Sequence, residues 1–75
     1  MAALYVTING RVFEADVPEA QVARGEALGK YLDSRAQKLL ATVGPVSDTQ
    51  LLFMLGLLLA DELAEAHAAL AKQKK

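Results

Sequence analysis

SDTQLLFMLGLLLADELAEAHAALAKQKK, residues 47–75, is the stretch that decides how this chain folds. Ser47 with Gln50 three residues later is a capping-box start, and no proline or paired glycine interrupts the chain from there on, so one helix is expected over 47–74. At ~1.5 Å per residue such a helix extends ~42 Å, whereas a compact domain of this length is only ~30 Å across. The helix outreaches its own domain. From Leu51 to Ala60 it is apolar on every side, and the 46 residues ahead of Ser47 are too few to wrap it. A second copy of the chain, or another protein, is expected to cover the rest.

Working back from Ser47, Gly44-Pro45 ends a preceding helix expected over 18–43. Pro18 suits its first turn and Glu19 the positive end of its dipole. Val22, Leu28, Leu32, Leu39, Leu40 and Val43 recur near a 3.6-residue period and mark its expected buried stripe. Gly25 and Gly29 weaken it by ~1 kcal/mol each relative to alanine, so a frayed or broken first turn near Gly25 is expected. Helices joined by so short a connection are expected to be antiparallel neighbours.

Further upstream, Leu4 to Ile8 and Arg11 to Val17 flank Asn9-Gly10, a two-residue turn that calls for positive φ at both positions. Pairing Ile8 with Arg11 sets Val6 opposite Phe13 and Leu4 opposite Ala15 on one apolar face. Thr7 with Val12 and Tyr5 with Glu14 share a mixed face. A lone hairpin is marginal in water, so this one (4–17) needs helical support. The expected fold is therefore α+β: a single domain of β-β-α-α order with a long C-terminal helix that a second copy or another protein covers.

Composition bounds the class. A 75-residue chain without cysteine has neither disulfides nor thiolate metal sites, and with no leader-like N-terminus a cytoplasmic address is the simplest expectation. The ten-residue apolar run is shorter than the ~20 residues that span hydrocarbon, and Asp61, Glu62 and Glu65 come directly after it, so membrane insertion is not expected. A formal charge of -1 and a pI of about 5.7 argue against nucleic-acid binding. Catalysis has no visible basis: there is no nucleophilic cysteine, no glycine-rich phosphate loop and no histidine pair, while Ser34 and Ser47 belong to a helix surface and a helix cap. No enzyme, cofactor or metal site is expected. His67, the only histidine, reads as a surface or seam residue, and Lys72, Lys74 and Lys75 read as cations suited to a helix C-terminus.

The strand ending Ile8-Asn9-Gly10-Arg11, the helix carrying Leu28 and Leu32-Asp33-Ser34-Arg35, and the capped helix Ser47-Asp48-Thr49-Gln50-Leu51-Leu52-Phe53-Met54 through Asp61-Glu62-Leu63 together resemble the ZapA family of bacterial cell-division proteins, over residues 4–70. The resemblance implies a non-enzymatic protein of the cytoplasm at midcell. Such a protein binds the tubulin-like GTPase FtsZ and bundles or cross-links its protofilaments in the Z-ring. It implies a homodimer seamed by the long helix, through Leu51, Leu52, Leu55, Leu58, Leu59 and Leu63, and open to pairing into tetramers. Arg11, Arg35 and Lys38 are the implied FtsZ contacts. Where relatives often carry a basic residue before the long helix this chain has Gly44-Pro45, and Leu57-Leu58-Leu59 stands where they often place a polar one. Relatives continue into an extended coiled coil, whereas this sequence stops at Lys75. Two other readings remain: a small cytoplasmic dimerisation or adaptor module for a different protein, and a nucleic-acid-binding regulator, the latter disfavoured by the acidic pI.

Overall fold

The computed structural model describes residues 1–73, so expectations placed on Lys74 and Lys75 lie outside the described residues. Strand β1 (Ala2–Ile8) and strand β2 (Arg11–Val17) form an antiparallel hairpin, followed by a 3-10 turn at Glu19–Gln21, helix α1 (Val22–Val43) and helix α2 (Asp48–Gln73). The class is α+β, in the expected β-β-α-α order. Two compact units divide at Pro45/Val46: the hairpin with α1, and α2.

The hairpin pairs as its pattern requires, from Ile8↔Arg11 through Val6↔Phe13 and Leu4↔Ala15 to Ala2↔Val17. Asn9 (φ 53°) and Gly10 (φ 79°) both take the left-handed conformation that matches a two-residue turn to the twist of its strands. Leu4, Val6 and Ile8 alternate inward along β1, and Ile8 is buried.

α1 lies against β1 through its glycines. A Cβ at Gly25 would fall 2.6 Å from a Leu4 methyl, and one at Gly29 would fall 2.7 and 2.8 Å from the two Val6 methyls. Val6 in addition presents its own Cβ at 3.2 Å. These glycines lie inside an unbroken helix, and their function is close approach. The expected break near Gly25 does not occur; the irregular first turn sits earlier, at Glu19–Gln21, and the α-helix starts at Val22 rather than at Pro18.

The expected buried stripe of α1 needs correction. Gly29 and Ala36 are its buried residues, while Leu28 and Val43 are exposed and Val22, Leu32, Leu39 and Leu40 are half-buried. A helix pressed this closely onto a strand meets it with its smallest side chains, which pushes Leu28 off the contact face. Gly44 then ends the helix, its N–H donating to the Leu40 carbonyl at 2.8 Å.

α2 begins as the capping signal requires: the Gln50 N–H donates to Ser47 Oγ at 3.1 Å and the Leu51 N–H to the Ser47 carbonyl at 2.8 Å. No single helix among the described residues is long and apolar enough to cross a membrane.

Gly29→Ala should destabilise the protein by about 1–3 kcal/mol, because overpacking against a stiff β-branched Val6 outweighs the ~1 kcal/mol gain in helix propensity. Gly25→Ala should be milder, since a Leu4 methyl can rotate away. Thermal unfolding of the two variants followed by circular dichroism checks the order, and an equal or reversed ranking would contradict the tight contact.

Candidate partner-binding surface

The hairpin turn is tied to the middle of α1 by a small polar cluster. The Asn9 N–H donates to Asp33 Oδ1 at 2.8 Å, and Gln37 Nε2 reaches both Asp33 Oδ1 at 3.3 Å and Asn9 Oδ1 at 3.5 Å. Asp33 and Gln37 are one turn apart on α1 and Asp33 lies one turn beyond Gly29, so the face that presses on Val6 also grips the turn. A carboxylate accepting a backbone N–H is a stronger bond than a neutral pair. Arg11, exposed at the start of β2, is thereby carried on a braced turn. Beside it a recess of about 290 Å³ is lined by Asn9, Leu40, Gly44 and Pro45.

Arg35 and Lys38 are on another side of α1. At 3.6 residues per turn they fall about 140–200° around the axis from Asp33. Lys38 is exposed, and Arg35 is half-buried with its Nε withdrawn from solvent. The structure therefore does not gather Arg11, Arg35 and Lys38 around one point. Instead Arg35 and Lys38 share a stripe with Arg24, Leu28 and Tyr31, at positions i, i+4, i+7, i+11 and i+14 along α1. Leu28 is 52 % and Tyr31 50 % exposed. Three cations interleaved with two exposed apolar side chains, on a chain whose net charge is -1, form a local basic and greasy surface suited to an acidic protein face. Sequence reasoning missed Arg24, Leu28 and Tyr31 as surface. Of the three, only Leu28 falls in the expected buried stripe.

The proposed seam residues of α2 separate by face. Leu51 is 1 % and Leu55 3 % exposed, Leu58 and Leu59 are half-buried, and Leu52 and Leu63 are exposed. Leu52, Leu59, Leu63 and Leu70 succeed one another at seven, four and seven residues, which aligns them along one flank. Phe53 and Leu57, 61 % and 58 % exposed, occupy another. Among the described residues no group of three or more histidine, cysteine, aspartate or glutamate side chains is placed to hold a metal ion.

A hairpin braced on one helix and followed by a second, apolar-flanked helix defines a ββαα module. The family model of cell division protein ZapA matches residues 4–75, and the chain belongs to that family; it is a cell-division protein. No curated protein and no solved structure gives a significant match.

Asp33→Ala should lower stability by about 1–2 kcal/mol and speed amide exchange at Asn9, because it leaves that N–H without its acceptor. Exchange measured by NMR checks this. Unchanged protection at Asn9 would show that the turn holds itself.

Proposed function

We propose that this protein acts at the division site as a homodimer that binds FtsZ and bridges its protofilaments. One observation carries the reading: α2 leaves Leu52, Phe53, Leu57, Leu63 and Leu70 exposed along its length in a single chain. A helix with so much apolar surface is stable in water only when other protein covers it. Membership of the cell-division family supports FtsZ as the partner.

We assign the dimer seam to the flank of Leu52, Leu59, Leu63 and Leu70. Its spacing is that of a two-helix seam, in which each apolar knob enters a hole on the facing helix. Leu51, Leu55 and Leu58 then support the base of the helix. A two-fold dimer presents every contact surface twice, so one particle holds two filaments, and linked weak sites gain avidity without new contacts. The stripe of Arg24, Leu28, Tyr31, Arg35 and Lys38, with Arg11 on its braced turn as a separate point, is the surface we assign to acidic faces of the filament. Its cations set the rate and orientation of encounter, and Leu28 and Tyr31 supply the apolar contact that holds the complex.

Light scattering across a concentration series should return the mass of two chains, and FtsZ polymers formed with GTP should pellet more fully when the protein is present. Leu63→Arg, at a position exposed in the single chain, should shift the measured mass to one chain and lower the helical circular dichroism as α2 loses its cover. A wild-type monomer at high concentration would overturn the assembly. Arg35→Glu combined with Lys38→Glu should keep the dimer and reduce FtsZ pelleting at least several-fold, with Arg11→Glu giving a smaller loss. Pelleting untouched by all three changes would assign the contact elsewhere, and pelleting untouched by the wild-type protein would favour an adaptor for a different partner.

A further inference from the structure

We propose that the free edge of β1 takes up an extended segment of another protein as a third, antiparallel strand, and that this segment carries basic, acidic and basic side chains at alternate positions. The sheet has only two strands among the described residues, so each strand has one unpaired edge. With Ile8 and Arg11 closing a two-residue turn, the hydrogen-bonded pairs are Ile8–Arg11, Val6–Phe13, Leu4–Ala15 and Ala2–Val17. The N–H and C=O groups of Ala3, Tyr5 and Thr7 therefore point outward along β1, three donors and three acceptors in a row.

Exposed edges are normally blunted by charge, proline or a bulge, since an open one pairs with any strand that meets it. β2 obeys that rule, with Arg11, Glu14 and Asp16 along it and Pro18 just beyond. β1 does not. Ala2–Ile8 holds no charged residue and no proline, and its pairing runs in register without a bulge. A groove of about 450 Å³ runs beside it, lined by Tyr5, Val6 and Thr7 of the strand and by Glu26, Gly29, Lys30 and Asp33 of α1. Gly29, the residue that admits Val6, leaves no side chain of its own in the groove.

Charge selects the occupant. Glu26, Lys30 and Asp33 succeed one another at about 4.5–6 Å along the helix, near the ~6.6 Å between alternate residues of a strand. A strand laid on β1 turns every second side chain towards that flank, where it meets an acid, a base and an acid in turn. Another copy of β1 brings no charge to answer them, so the complement is a segment from a different protein. Main-chain bonds to Ala3, Tyr5 and Thr7 supply the affinity and the alternating charges the choice of segment. This site uses neither α2 nor the basic stripe, so it stands or falls apart from the FtsZ reading.

The test titrates the isotope-labelled full chain with the capped peptide lysine-valine-glutamate-valine-lysine, and with the same peptide methylated on both valine nitrogens, the donors that would face β1. The expected result is that the first peptide shifts the amides of Tyr5 and Thr7 and slows their exchange, that the methylated peptide does neither, and that Glu26→Lys weakens binding about tenfold. Glu26 is an exposed helical position, so this variant should fold. A second variant, Thr7→Pro, removes an outward donor that the hairpin does not use and should abolish the effect. Equal binding of the methylated peptide, shifts confined to other residues, or no shift at millimolar peptide would each overturn the proposal. So would protection of Ala3, Tyr5 and Thr7 that rises with protein concentration in the absence of peptide, since a second copy would then hold the edge.

Discussion

The contact between Gly29 of α1 and Val6 of β1 is the constraint on which the N-terminal unit depends. A helix and a strand bearing ordinary side chains stand about 10 Å apart, the spacing of packed layers. Here neither Gly25 nor Gly29 has a Cβ to hold the two apart, and α1 settles onto the methyls of Leu4 and Val6. Only from that short distance does Asp33, one turn further along, reach the Asn9 N–H at 2.8 Å. Packing and polar clamp are thus one arrangement. The turn is held because the helix is close, and the helix is close because two residues lack side chains.

The same closeness distributes the rest of α1. With its contact face occupied by glycine and alanine, the larger side chains fall on its flanks. One flank carries Glu26, Lys30 and Asp33 along the open edge of β1; another carries Arg24, Leu28, Tyr31, Arg35 and Lys38. A small core leaves much of the surface for recognition, which suits a module that works by meeting other proteins. α2 makes the point in a different way: its leucines exceed what a chain of this length can bury, and the excess lies in the open along two flanks.

Much of this was legible in the sequence. The hairpin register came from Asn9-Gly10 and strict alternation, since a one-residue slip would turn Leu4, Val6 and Ile8 to water. The start of α2 came from Ser47 and Gln50, and the family from the order of these parts. Two readings failed for a shared reason. Propensity makes Gly25 and Gly29 weak points in a helix, and periodicity makes Leu28 and Val43 its core, because both describe a helix alone. Neither contains the distance to a neighbouring strand. That distance makes a glycine valuable and a leucine superfluous at the contact.

Local rules written along the chain determined the elements, their order and their pairing, as well as the excess of apolar surface at its end. These properties involve residues only a few positions apart, where turn geometry, capping and alternation act. Which side of α1 meets the sheet, which cations share a flank, and which strand edge stays open were decided only in three dimensions. Each depends on how closely two separately formed elements approach, and that approach is set by side-chain volume across 20 or more residues of intervening chain, as between Leu4 and Gly25.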